Sequence, residues 1–173
     1  MTLEPKYLVH REKYRPYRVN VLFVAESPPT SGSYFYFPHT NGKDHLFSET
    51  MRALGLWKVG LPMRKGVDKK SLLTEFQSRG YFLVDVCGSP VDKMETGDRN
   101  IQVRKGLPAL LQEIRRARPM KILIVKSSIH RTVKRILQQQ GYGMRLLNPH
   151  RPIPFPSHGN QGMYRKLLNR YLR

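Results

Sequence analysis

Runs of consecutive apolar residues alternate along this chain with segments of helical spacing. Val19–Val24, Tyr81–Val86 and Lys121–Val125 are short, almost wholly apolar and rich in β-branched or aromatic residues. That is the pattern of strands buried on both faces of a parallel sheet. Gly143–Leu147 reads as a fourth, shorter strand. Between them, Leu46–Trp57 sets Leu46, Phe47, Met51 and Leu54 on one helical stripe. Ser71–Arg79 reads as a short helix capped by Ser71, with Leu72, Leu73 and Phe76 inward and Gly80 as its stop. Gly106–Arg118 carries Leu107, Leu110, Leu111 and Ile114 at helical spacing and halts before Pro119. Ser127 or Ser128 can cap a further helix with Ile129, Val133, Ile136 and Leu137 inside. A proline-rich loop then leads to a last helix containing Met163, Tyr164, Leu167, Leu168 and Tyr171. The order β-α-α-β-α-β-α-β-α predicts an α/β fold: a three-layer α/β/α sandwich around a central four-stranded parallel sheet. Residues 1–18 read as a basic N-terminal arm, residues 19–173 as a single α/β domain, and Lys58–Lys70 as the most mobile loop.

Composition narrows the class. The 173 residues suit one domain with a sizeable core, and the 39% hydrophobic and 25% charged content is ordinary for a globular chain. No apolar run is long enough to span a bilayer, and MTLEPKYLVHREKYRPYR has no signal-peptide apolar region. The expectation is an intracellular, cytoplasmic protein with no membrane partner, nucleoid-associated in a prokaryotic cell. The single cysteine, Cys87, allows neither an internal disulfide nor a cysteine-based metal or iron–sulfur site. His39 and His45 lack the spacing of a metal pair, so no metal or cofactor is expected.

Charge changes the picture most. There are 31 Lys and Arg against 12 Asp and Glu, a net charge of +19. The last carboxylate along the chain is Glu113, and residues 114–173 hold 14 Lys and Arg with no acidic residue. Such a field favours a polyanion, which makes nucleic acid, DNA first, the expected partner. No obligate protein partner is implied.

In an open α/β sheet, ligands bind beyond the carboxyl ends of the strands. Here those ends carry Glu26 and Ser27, Asp85, Lys126, and the loop from Asn148 through His150 to Ser157 and His158. Each has a functional and a structural alternative. Glu26 is either a carboxylate for water or for a cationic sugar, or the acceptor that holds its turn. Tyr34–Phe37 is either a stacking platform for bases or an edge strand with one face packed. Asp85 either reads a ligand edge or caps the Gly88-Ser89-Pro90 turn. Lys126 contacts phosphate or snorkels. Arg131, Lys134 and Arg135 track phosphates or form a solvated helix face.

Ala25-Glu26-Ser27-Pro28-Pro29 after the first strand resembles a motif of the uracil-DNA glycosylase superfamily, Gly-Glu-Ala-Pro-Gly, with Glu26 and Pro28 in register. The resemblance spans about Val19 to Leu172 as architecture. It implies the uracil-DNA glycosylase-like fold and a DNA glycosylase that hydrolyses the N-glycosidic bond of a flipped uracil or other damaged base. The alternative is a non-catalytic nucleic-acid-binding module. The same resemblance implies Glu26 and His158 as catalytic residues. It implies Phe35, Tyr36, Phe37 and Asp85 as base-binding and Ser157 as a phosphate contact; Lys126, Arg131, Lys134 and Arg151 are expected as further phosphate contacts from their charge and position. Phe155 stands where the family's final motif has His, and Asp85 stands near its base-reading Asn. The branch with Gly-Glu-Ala-Pro-Gly often carries a four-cysteine cluster, which Cys87 alone cannot form.

Overall fold

The computed structural model describes residues 3–173. The strands are β1 (Val21–Ala25), β2 (Tyr81–Asp85) and β3 (Lys121–Ile124). The helices are α1 (Pro5–Lys13), α2 (His45–Ala53), α3 (Lys70–Ser78), α4 (Thr96–Ala117), α5 (Ser127–Gln139) and α6 (Gln161–Leu172). β1 lies in the middle of a three-stranded parallel sheet of order β2-β1-β3. Val21 pairs with Tyr81 on one side and Lys121 on the other, and Ala25 pairs with Asp85 at the carboxyl end. All five β1 residues are buried, as their apolar run predicts. The chain leaves β1 toward β2 and returns across it to β3, so β1 flanks the point where the winding reverses. Clefts form there in open α/β sheets.

The expected fourth strand is absent. Gly143–Arg145 forms a 3₁₀ turn, and only an isolated parallel bridge, Ile122 to Leu146, continues the sheet. Met144 is exposed and Arg145 turns back to the Pro119 carbonyl, so the segment has too few buried residues to sustain a ladder. Asn148 takes over: its Oδ1 accepts the Ile124 N–H at 3.1 Å and its Nδ2 donates to the Ile124 carbonyl at 2.8 Å. One amide side chain thereby supplies the donor and acceptor that a strand would offer. The opposite edge is closed in the same way. The Tyr36 hydroxyl accepts the Leu83 N–H at 2.7 Å and donates to the Leu83 carbonyl at 3.1 Å.

The expected basic arm contains α1. Tyr7, Arg11 and Tyr14 are buried at helical spacing, and α1 docks on α4 through a charged cluster. Arg15 reaches Glu113 at 2.6 Å and Glu12 at 2.7 Å, and Arg11 reaches Glu113 at 3.1 Å. Burial alone would raise the Glu12 carboxyl, but the hydrogen bonds and charges of Arg15 and Arg11 outweigh it and hold the group at about 2. The Lys58–Lys70 loop is also tied down: Thr40 N–H donates to the Val67 carbonyl at 3.0 Å and Lys69 N–H to that of Pro38 at 2.8 Å.

α4 starts ten residues before the expected Gly106 and runs through Pro108. It crosses the end of β2 so closely that a Cβ on Gly106 would sit 2.1 Å from the Val86 carbonyl oxygen. Gly97, in the first turn of the same helix, faces open space. Helix propensity favours Ala over Gly by up to ~1 kcal/mol at both positions. Gly97→Ala is therefore expected to leave stability unchanged or raise it. Gly106→Ala is expected to cost roughly 2 kcal/mol or more, because overpacking outweighs propensity. Urea unfolding midpoints of the two variants decide between these signs.

Candidate functional site

A cavity of about 470 Å³ opens at the carboxyl ends of the strands. Its apolar wall comes from Tyr34 and Phe35 after β1, Leu46 and Phe47 on α2, Leu83 on β2, and Phe155. Its polar wall includes Asp85 at the end of β2, Asp92, Arg99 on α4, Lys126 after β3, and Ser157 with His158. The size and the mixture of apolar wall with few polar groups are within the range of small-molecule pockets.

Glu26 lies beneath this wall and does not line the cavity. Its side chain is 2% exposed, and its carboxylate is held by Lys126 Nζ, by Ser128 Oγ at 3.1 Å and by Arg99 Nε at 3.2 Å. It therefore fixes two cations that do line the cavity. Lys126 also lies over the Phe155 ring, 5.4 Å from its centre.

Asp85 sits at the cavity floor. The residue is half-buried, but its Oδ2 is enclosed and has no hydrogen-bond partner. Burial pushes its carboxyl up to about 7; the charges of Arg11 and Lys126 pull it down, and Glu26 adds to the rise. Behind it, between α1 and α4, lies a second cavity of about 230 Å³ that Arg11 and Glu113 also line. The Tyr34 hydroxyl is likewise buried without a partner. Burial, with the Asp85 charge added, raises its pKa and keeps it a phenol. The buried Cys87 thiol is pushed up to about 12, chiefly by desolvation, which leaves it a poor nucleophile.

The loop that carries the aromatic wall is pinned from below. Lys69 Nζ, fully buried, donates to Asp44 Oδ1 at 2.6 Å and to the Tyr34 carbonyl at 2.9 Å, and lies 4.5 Å from the centre of the Phe47 ring. Desolvation lowers the Lys69 pKa against the pull of Asp44. At the opposite rim, His158 adopts φ 50° and its Nδ1 lies 2.9 Å from Ser157 Oγ.

Six candidate residues singled out from the sequence meet at this cavity: Tyr34, Phe35, Asp85, Lys126, Ser157 and His158. The others lie elsewhere. Tyr36 is fully buried and closes the β2 edge. Phe37 packs against Tyr7 and His10. Lys134 donates to the Pro149 carbonyl at 3.1 Å, and Arg131 and Arg151 are exposed outside the cavity. Asn148 and His130 are structural, joined at 2.6 Å between His130 Nε2 and the Asn148 carbonyl. Arg99, Phe47 and the Asp44–Lys69 pair were not singled out. Arg99 was detectable as the residue one turn before Val103, on the face that continues to Gly106 and Leu110. The burial of Lys69 beside Lys70 had no sequence signal.

Three substitutions test the partnered Tyr36 hydroxyl and the two unpartnered oxygens. Tyr36→Phe leaves the Leu83 N–H and carbonyl unpaired and is expected to cost roughly 2–4 kcal/mol. Tyr34→Phe removes a buried hydroxyl that has no partner, and is expected to be neutral or stabilising. Asp85 has a folded-state pKa above its ordinary value of 3.8, so the stability it allows is complete at low pH and is lost as pH rises toward about 7. Asp85→Asn is therefore expected to unfold later than wild type. Its advantage should be negligible near pH 4, grow through pH 7 and level off at roughly 4 kcal/mol. Urea midpoints from pH 4 to 8 measure it; an advantage independent of pH contradicts the assignment.

Comparison with known proteins adds no family to this geometry: no family model matches the chain, and no curated sequence matches it.

Proposed function

We propose that the protein binds nucleic acid and takes one unstacked base into this cavity, as a divergent uracil-DNA glycosylase-like protein would. The reaction proposed there is hydrolysis of that base's N-glycosidic bond. One observation carries the reading. Two buried side-chain oxygens without a hydrogen-bond partner, on Tyr34 and Asp85, belong to residues lining the same aromatic-walled cavity. A folded protein rarely leaves such groups unmade unless something else satisfies them. Aromatic walls with a few polar groups on one floor suit a planar ring bearing polar edges.

The charge distribution supports a polymer over a free base. Of the 14 cations after Glu113, only Arg116, Lys126 and Arg165 are paired with carboxylates among the described residues. In the proposed hydrolysis, water adds at C1′, the C1′–N bond breaks with its electron pair leaving on the base, and the water's proton passes to the departing base. Lys126 and Arg99 supply positive charge beside that leaving group, and Glu26 orients them. Charge placed in advance where it develops is the larger part of such catalysis.

A second reading, base binding without hydrolysis, is favoured by Glu26 itself. Its oxygens are committed to Lys126, Ser128 and Arg99, away from any water in the cavity. Phe155 adds to this, because it stands where the resembled motif has its histidine.

Labelled single-stranded and duplex DNA carrying uracil, hypoxanthine or other damaged bases separates the two. Binding is expected to weaken with salt, with a log–log slope steeper than about −3, and Arg131→Glu with Arg135→Glu should lower affinity equally for all sequences. Alkali-labile abasic sites support hydrolysis; salt-dependent binding with no abasic site for any base supports the second reading. Absence of salt-dependent binding overturns both.

A further inference from the structure

Resting on the base-binding reading above, we propose that the base this cavity takes is a guanine-type purine, held by Asp85 through two adjacent N–H groups with its carbonyl toward Lys126 and Arg99. The Asp85 side of the cavity offers acceptors to a ligand. An ionised carboxylate has only acceptors, two oxygens side by side. The unpartnered Asp85 Oδ2 is one of them, on a residue that lines the cavity. The neighbouring wall offers the opposite: the cations Lys126 and Arg99, both anchored from behind by Glu26. Tyr34 adds a hydroxyl that can donate or accept.

The bases differ in what they can present to this arrangement. Uracil and thymine show a single N–H between two carbonyls, so a second carboxylate oxygen would face a carbonyl oxygen. Adenine and cytosine show an amine beside a bare ring nitrogen, which has the same conflict. Hypoxanthine shows one N–H beside a C–H. Guanine alone shows a ring N–H next to an exocyclic amine, followed by a carbonyl. Two donors meet the carboxylate and the acceptor falls on the cationic side. The cavity of about 470 Å³ has room for a purine between Phe35, Phe47 and Phe155.

Pairing with two donors also resolves the position of the Asp85 charge. Its carboxyl is otherwise held near 7 by burial. Arg11 faces it from α1, Lys126 from beyond β3 and Glu26 from beyond β1, with Tyr34 and Tyr36 from the intervening loop. A ligand that donates twice binds only the ionised form. Affinity is therefore expected to fall about tenfold per pH unit below about 7 and to level off above it.

The test uses the full chain and single-stranded oligonucleotides identical except for one central position: guanine, hypoxanthine, adenine, uracil or an abasic residue. Free guanosine and inosine run in parallel. Wild type is expected to prefer guanine over hypoxanthine by roughly 10- to 100-fold, the value of one hydrogen bond to a charged group. Asp85→Asn, which should fold at least as well as wild type, is expected to lose that preference, because its amide offers one acceptor and one donor. Salt-dependent binding with equal affinity for all five oligonucleotides overturns the guanine assignment and leaves the base-binding reading in need of another edge. A wild-type preference for uracil or hypoxanthine overturns it as well. Asp85-dependent preference for guanosine without oligonucleotide binding supports the assignment and removes the nucleic-acid reading. Binding of neither overturns both.

Discussion

Two side chains stand in for missing strands, and the rest of the molecule is arranged around them. A three-stranded sheet has two open edges, each with unmet N–H and carbonyl groups in an apolar surround. Tyr36 meets those of Leu83 and Asn148 meets those of Ile124. Both residues belong to the loops that build the cavity. Tyr36 holds Tyr34 and Phe35 against the β2 side, and Asn148 begins the segment that delivers Phe155, Ser157 and His158 to the other. The cavity walls are thus registered to the sheet by hydrogen bonds to its backbone. That is a stiffer reference than loop packing alone, and binding sites need such a reference if their polar groups are to converge.

Electrostatics divide the molecule in the same way. Most buried charges are matched: Lys69 with Asp44 behind the aromatic wall, and, away from the cavity, Arg11 and Arg15 with Glu12 and Glu113, Glu49 with Arg52 and Arg165. Breaking one partner of such a pair is costly because it strands the other. At the cavity the pattern changes. Glu26 balances two cations, while Asp85 and Tyr34 remain without partners. The polar groups there are held in place but not satisfied, which is the condition for recognising something that arrives from outside.

Much of this was legible in the sequence, and the failures have physical causes. β1, β2 and β3 were readable because strands buried on both faces leave continuous apolar runs. The fourth segment was misread because Leu146 and Leu147 look like a strand, whereas the exposed Met144 and the Arg145 contact end it after one bridge. α1 was hidden by charge: Tyr7, Arg11 and Tyr14 share a helical face, but the lysines and arginines between them dominate the mean hydropathy. The first half of α4 is polar, so the closely spaced apolar stripe is visible only from Leu107 onward although the helix starts at Thr96 and continues through Pro108. At the site, strand ends located Asp85 and Lys126 because topology places them there. No local pattern told which of four successive aromatics face the cavity. That depends on Tyr36 reaching the β2 edge and on Lys69 gripping the Tyr34 carbonyl, both contacts across long stretches of chain.

Closing an edge with one residue concentrates a duty that a fourth strand would spread over several amides. At β3 the duty falls on Asn148, helped only by the Ile122–Leu146 bridge. Any change there that keeps the fold exposes the edge of a short strand, Lys121–Ile124, with three apolar residues in a row and a neighbour that is already parallel. Such an edge is a template for another chain. The position therefore governs whether the protein stays monodisperse at high concentration, a colloidal property separate from both its stability and its ligand.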